Sequence, residues 1–158
     1  MRVNEIMSTP VVTIGAAEPA ARAWDVMRLE QMHHLVVLGG DDRVVGVISD
    51  ADLGGKSGNA VREGHRVSEL MTDKVVTVHP ETTVREAANL MRGHAVNCLP
   101  VFDRSERLKG IVTVVDLLEL LGRGSARPME TAPRAVLKNR GVAPRQSLAG
   151  PRSRAAKR

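Results

Sequence analysis

A nine-residue pattern occurs twice in this chain, and this repetition limits the folds that the chain can adopt. Residues 45–53 read VGVISDADL and residues 109–117 read KGIVTVVDL. Both copies run from a β-branched apolar segment through a hydroxyl residue to an aspartate three positions later, which predicts a buried strand that turns into a helix. The same offset of about 64 residues aligns further segments, so the chain is a duplicated half and not a solenoid of many short repeats. The further aligned segments are 3–7 with 67–71, 11–13 with 75–77, and 27–28 with 91–92.

Hydrophobic periodicity predicts the same order of elements in both halves, namely strand, helix, strand, strand, helix. In the second half, Thr83 and Glu86 have the spacing of a capping box, which predicts a helix that ends near His94. We expect a first repeat over 1–55, a linker over 56–65, a second repeat over 66–121 and a tail over 122–158. The predicted elements of the first half are a strand at 11–14, a helix at 19–32, strands at 35–38 and 44–48, and a short helix at 50–53. Those that follow the helix of the second half are strands at 98–102 and 108–112 and a helix at 114–121.

Composition favours a soluble protein of the cytoplasm. The longest apolar runs are about four or five residues, too short to span a bilayer, and the first residues begin no hydrophobic signal segment. Cys98 is the only cysteine, so no disulfide within the chain and no thiolate metal cluster is expected. Aromatic residues make up 1% of the chain, which removes the stacking surface that readers of single-stranded nucleic acid use.

The formal net charge of +5 hides an asymmetry between the repeats and the tail. Residues 1–121 hold 13 basic and 17 acidic residues, whereas 122–158 hold 10 basic residues and one acid, Glu130. Any binding to polyanions must therefore rest on the tail. The tail is rich in Ala, Pro, Gly, Ser and Arg, a composition for which disorder is the default expectation.

The repeated hydroxyl and aspartate permit two interpretations. Ser49 with Asp52, and Thr113 with Asp116, have the spacing of a capping box, which would serve only to satisfy backbone amides at the start of a helix. The same geometry also suits a ligand, because a helix N-terminus offers amide donors to an anion and a carboxylate accepts hydrogen bonds from a ribose diol. Repetition of the pattern in both halves favours the second interpretation.

Taken together, the repeated motifs resemble paired CBS domains, also called a Bateman module. The resemblance covers about residues 3–121. It rests on Met-x4-Val-Val-Thr near the start of each half, the Leu-Val-Val or Leu-Pro-Val strand, and the final Gly-h-h-[Ser/Thr]-x-x-Asp-Leu. It implies an α+β fold of two β-α-β-β-α repeats related by a pseudo-twofold axis. It also implies two clefts for adenosine-containing ligands such as AMP, ADP, ATP or S-adenosylmethionine.

The resemblance also implies roles for particular residues. Asp52 and Asp116 match the family's ribose-binding aspartate, and Ser49 and Thr113 match its hydroxyl. The segments that end at Val12 and Val76 match positions that sandwich the adenine. His33 and His34 match a His-Arg pair that nucleotide sensors place against phosphates, whereas Asn97 and Cys98 of the second half depart from that pair. We therefore expect unlike clefts, with any polyphosphate contacts drawn from His33, His34, Arg28, Lys74 or Arg92.

Simpler roles compete for the histidines and the cysteine. His33 and His34 follow the first predicted helix, where the macrodipole favours a cation, so capping is an alternative to ligand binding. No third ligand lies at metal spacing, so no metal site is expected. Cys98 lies in an apolar strand without an evident base, which favours core packing.

Two classes of function follow. In the first, the protein is not an enzyme but a regulatory ligand sensor that forms a homodimer and signals to an unknown partner protein by a conformational or oligomeric change. In the second, it is a nucleic-acid-associated protein that makes weak, nonspecific phosphate contacts through the tail. No set of acid, base and nucleophile points to a catalytic site, and we expect no resident cofactor.

Overall fold

The structure, a computed structural model, describes residues 1–123, and these residues form two similar halves. Their helices and strands, in chain order, are a 3-10 turn Val3–Glu5, β1 Thr13–Gly15, α1 Ala20–Leu29, β2 His34–Leu38, β3 Val44–Ser49, α2 Asn59–Arg62, α3 Val67–Leu70, α4 Val84–His94, β4 Cys98–Phe102, β5 Leu108–Thr113 and α5 Val114–Arg123. The predicted hairpins are present as β2–β3 and β4–β5, and both are antiparallel.

The first strand differs in length between the halves. In the first half, β1 pairs in parallel with β2, which gives a three-stranded sheet in the order β1-β2-β3. In the second half the corresponding pairing shrinks to one parallel bridge between Val78 and Val101, beside the two-stranded sheet β4-β5. This bridge is the repeat equivalent of Ile14 paired with Val37, so the topology is kept although the strand is lost.

Each half is completed by the first residues of the other half. We call residues 3–8 and 67–72 the two leading segments. Ser8 of the first leading segment pairs with Ile111 of β5, and Thr72 of the second pairs with Val47 of β3. Val3 is buried in the core of the second half, whereas Val67 is buried in the core of the first. The exchange ties the two repeats together through backbone hydrogen bonds and buried side chains.

The end of the first half departs from the prediction. The expected helix at 50–53 is absent, and the chain makes a series of turns through Gly54 and Gly55, whose φ angles of 79° and 61° favour glycine. The predicted linker instead contains α2, and its Arg62 is only 5% exposed. The second half keeps its closing helix as α5.

Helix boundaries follow local backbone geometry. The helix α1 ends at Leu29, earlier than the predicted Met32, and Gln31 beyond it has a left-handed φ of 54°. The capping box of α4 is present, since the hydroxyl of Thr83 accepts a hydrogen bond from the N–H of Glu86 and the Glu86 carboxylate accepts one from the N–H of Thr83. As predicted, α4 ends at His94.

Within residues 1–123, no helix is both long and apolar enough to cross a membrane. The prediction about the basic tail falls almost entirely on residues 124–158, which lie outside the described part of the chain.

Candidate functional site

The two repeated turns have nearly the same hydrogen-bond geometry. In the first turn, residues 49–52, the N–H of Ser49 donates to Oδ2 of Asp52 at 2.8 Å, and the N–H of Asp52 donates to the Ser49 hydroxyl at 3.2 Å. In the second turn, residues 113–116, the corresponding distances are 2.6 Å and 3.4 Å, and the Thr113 hydroxyl also donates to Oδ2 of Asp116 at 2.9 Å. Both aspartates are therefore held in one orientation by their own backbone.

These bonds leave part of each carboxylate available. Asp52 and Asp116 are partly exposed. Each of these two carboxylates accepts hydrogen bonds from residues 1–123 through its Oδ2 atom and not through its Oδ1 atom. A carboxylate has lone pairs on both oxygens. Oδ1 of each aspartate can therefore accept a hydrogen bond from a ligand while Oδ2 keeps its bond to the turn.

Strand register brings the other predicted residues to the turns. His34 begins β2 and lies opposite Ser49 of β3, and Cys98 begins β4 and lies opposite Thr113 of β5. Burial lowers the pKa of His34, although the nearby charges of Asp50 and Asp52 partly oppose that shift. Burial therefore favours the neutral form of the His34 imidazole.

The charge of Asp52 also acts on the second half. Burial raises the pKa of the Cys98 thiol to about 12, and the Asp52 carboxylate contributes to this rise. Because Cys98 belongs to β4 and Asp52 to the first turn, the first turn lies close to the start of the second hairpin.

His33 has a partner that the sequence did not suggest. Its Nδ1 lies 2.9 Å from Oδ2 of Asp50, and the N–H of Asp50 donates to the His33 carbonyl oxygen at 3.0 Å. Since α1 ends at Leu29, neither His33 nor His34 caps that helix, and the capping interpretation of the histidines is wrong. Asp50 lies inside the repeated motif, and its equivalent in the second half is Val114. This difference between the two copies is the sequence signal that could have identified Asp50 as a functional candidate.

The apolar positions Val12 and Val76 belong to different hydrophobic cores. Val12 precedes β1 and packs against the first core, whereas Val76 packs against the second core. Each is partly buried. Their role as ligand contacts, one in each half, stays a prediction.

The cations named for phosphate contacts are all exposed, and they are dispersed. Arg28 lies on α1, and it lines a cavity together with His33. Lys74 and Arg92 belong to the second half and do not line that cavity. Among residues 1–123, no three or more His, Cys, Asp or Glu side chains are grouped so that they can hold a metal ion.

Comparisons with known proteins agree on one family. The model of the CBS domain matches residues 3–53 and 67–123. A CBS domain-containing protein of Dictyostelium discoideum is 33% identical over 130 residues, which cover 75% of this chain and 90% of that protein. A crystal structure of a CBS domain pair in complex with 5′-methylthioadenosine and S-adenosyl-L-methionine superposes with a TM-score of 0.71 at 26% identity, over 79% of this chain and 98% of the other.

Enzymes are also among the relatives. A homoserine O-acetyltransferase of Methanosphaerula palustris is 31% identical over 123 residues, which make up 77% of this chain but 24% of that protein. The chain thus spans about a quarter of the length of the first such relatives. The ranges matched by the family model include both repeated turns and the strands that lead into them.

Proposed function

Because the chain belongs to the CBS domain family and carries two copies of that domain, we propose that it is a regulatory module that binds an adenosine-containing ligand beside its repeated turns. Occupancy of the clefts changes the packing of the two repeats, and a partner protein reads that change. The ligand classes that fit are AMP, ADP, ATP and S-adenosylmethionine.

One observation carries the proposal. The first turn has the full hydrogen-bond pattern of a capping box, but no helix follows it until α2 begins at Asn59. The motif is followed by a single turn, in which the N–H of Leu53 donates to the Ser49 carbonyl oxygen at 3.3 Å. The Asp52 carboxylate is thus held like that of Asp116 although no long helix follows it, and a ribose diol that donates to its Oδ1 gives that orientation a role beyond capping.

The charge around each turn gives the two clefts different preferences. The first turn carries Asp50 and Asp52, and burial favours the neutral form of the neighbouring His34. The second turn has Val114 where the first has Asp50. Two carboxylates repel a polyphosphate, so the first cleft favours S-adenosylmethionine or AMP over ATP. The second cleft tolerates a more negative ligand.

Calorimetric titration of the full chain with the four ligands tests the proposal. Asp52→Ala and Asp116→Ala should each weaken binding at their own cleft by about 1.5–3 kcal/mol, the scale of a charge-assisted hydrogen bond. Asp116→Asn retains an acceptor for the N–H of Thr113 and separates loss of charge from loss of the turn. Asp25→Ala, on the exposed side of α1, is the matched control. Equal binding by wild type and both turn variants would leave capping as the only role of the motif.

Self-association belongs to the same proposal. The helix α5 exposes a row of apolar side chains, since Val115 is 51%, Leu118 60% and Leu121 76% exposed. A second copy related by a twofold axis covers such a row with an identical one. We expect light scattering to give a dimer of the 17.1 kDa chain, and Leu118→Glu to give a monomer. Lys109→Glu, which also adds negative charge, should remain dimeric.

We also propose that this chain acts without catalysis. The enzyme relatives match it over a minor part of their length, so their activities rest mainly on sequence that has no counterpart here. The nucleic-acid alternative depends on the tail, and the comparisons give it no support.

A further inference from the structure

A cavity of about 760 Å³ lies beside the first half and borders the first turn at Asp50. It is bounded on one side by the end of α1, including Trp24 and Met27, and on the other by the segment from Gly55 to Arg62. In the second half, α4 is in contact with α5, whereas in the first half α1 is in contact with the short α2 instead. The cavity thus lies where the first repeat has lost its closing helix.

Arg62 places a buried positive charge at this cavity. The residue is 5% exposed, and its guanidinium donates to the carbonyl oxygens of Leu53 and Gly55 and to Oδ1 of Asn59, each at 2.7 Å. The guanidinium also lies over the Trp24 ring, 4.3 Å from its centroid. All of these partners are neutral, and within residues 1–123 no carboxylate pairs with Arg62. A buried cation without a counter-ion favours an anion nearby.

Two further cations line the same cavity. Arg28 and Lys56 are exposed, and neither forms an ion pair with any residue of 1–123. The carboxylate that lines the cavity, Asp50, is already bonded to His33 at 2.9 Å. The cavity therefore has an excess of positive charge, together with an apolar wall formed by Trp24 and Met27.

We propose that this cavity, here called the Trp24 pocket, binds a small phosphomonoester that has an aromatic or apolar body. The body packs against Trp24 and Met27. The phosphate accepts charge-assisted hydrogen bonds from Arg28 and Lys56, and the buried charge of Arg62 strengthens the local positive potential.

The Trp24 pocket borders the first turn through Asp50, and two of the residues named for phosphate contacts, Arg28 and His33, also line it. The ribose-binding candidates Ser49, Asp52, Thr113 and Asp116 do not. Variants of Asp52 and Asp116 therefore test the adenosine clefts, whereas variants of Arg28 and Lys56 test the pocket.

The protein offers a direct readout, because Trp24 is its only tryptophan. Phenyl phosphate is the probe, added to the full chain while Trp24 fluorescence and heat are recorded. We expect a saturable change with a dissociation constant below about 1 mM. Phenol has only the aromatic body of the probe and inorganic phosphate has only its phosphate group, so each should bind at least about tenfold more weakly than phenyl phosphate. Added salt should weaken the binding of phenyl phosphate.

Variants assign the site. Arg28→Gln combined with Lys56→Gln should weaken binding by about tenfold or more, the effect of losing roughly one charge-assisted hydrogen bond. Arg22→Gln combined with Lys109→Gln removes two exposed cations elsewhere and should leave the dissociation constant unchanged. Asp52→Ala and Asp116→Ala should also leave it unchanged.

Three results would overturn the proposal. The first is no saturable response of Trp24 at 1 mM and above, and the second is equal affinity in the Arg28/Lys56 variant and wild type. The third is loss of phenyl phosphate binding in an Asp52 or Asp116 variant, which would place the probe in the adenosine clefts. Because the exposed cations are not part of either core, their replacement leaves the fold intact, and circular dichroism verifies this.

Discussion

Met71 packs so closely against Gly46 that a Cβ atom at position 46 would lie 2.6 Å from its Sδ atom. The same Cβ atom would lie 2.9 Å from the carbonyl oxygen of Thr72. In the other half, a Cβ atom at position 110 would likewise lie 2.6 Å from the Sδ atom of Met7. Glycine is therefore needed at the point where each leading segment crosses the opposite hairpin.

We expect Gly46→Ala to lower the free energy of unfolding by about 1–3 kcal/mol, the usual cost of overpacking, because a backbone oxygen as well as a flexible side chain must move. Urea denaturation followed by circular dichroism measures the change. Gly93→Ala is the matched control, since no atom lies within 4 Å of a Cβ at that helical position. It should stabilise the protein by about 0.4–1 kcal/mol. If Gly46→Ala left the free energy of unfolding unchanged, the leading segment 67–72 would be able to shift without cost.

Acid should destabilise the protein through His34. Burial holds its folded pKa below the ordinary value of 6.5, so between 6.5 and the folded pKa the unfolded chain binds more protons than the folded one. Stability is therefore complete above 6.5 and is lost as the pH falls through this window. Denaturation experiments between pH 7.5 and pH 5 should show that the free energy of unfolding falls as the pH is lowered. This dependence on pH should be weaker in His34→Asn and unchanged in His94→Asn, which alters an exposed histidine. An unchanged slope in His34→Asn would assign the dependence to other groups.

Cys98 should be inert in the folded protein. The thiolate is the reactive form, and a pKa of about 12 together with 5% exposure leaves almost none of it accessible at pH 8. We expect an aromatic disulfide reagent to label one thiol per chain only after denaturant is added. Rapid stoichiometric labelling of the native protein would show that the start of β4 opens readily.

The capping box of α4 should contribute to stability on its own. Thr83→Ala removes the hydroxyl that accepts from the N–H of Glu86 at 3.2 Å, and we expect a loss of about 0.5–2 kcal/mol in the free energy of unfolding. Thr77→Ala, also at an exposed position, serves as the control. The Thr83 backbone and hydroxyl hold the pKa of Glu86 below its usual range. The stabilisation that depends on the ionised carboxylate should therefore disappear as the pH falls through that lowered pKa.

The sequence was sufficient to predict the fold class and the family, because both depend on patterns that recur at one offset. The α+β fold of paired CBS repeats is confirmed by the family match and by the solved domain pair. The helix from Thr83 was predictable because its capping box is local. The hairpins were predictable because apolar residues and turn residues alternate over short distances.

Other features depend on tertiary contacts that the sequence did not reveal. The interpretation of 50–53 as a helix relied on the parallel with the second half, but Gly54 and Gly55 adopt left-handed angles and end the segment in turns. The burial of Arg62 arises from its stacking on Trp24, which is distant in sequence. The roles given to Ser49, Asp52, Thr113, Asp116, Val12, Val76, His33 and His34 remain predictions that the binding experiments test.

The exchanged leading segments make one repeat an incomplete folding unit. In a single copy, the valine equivalent to Val3 or Val67 would lack the core that buries it. This valine could be buried only if the leading segment packed against a second copy. Two such copies that exchanged their segments would form a swapped homodimer with the arrangement of the present halves. The duplicated chain is therefore equivalent to a dimer whose subunits have been fused end to end. Each half can then diverge, as the loss of the closing helix in one half illustrates, without losing its obligatory partner.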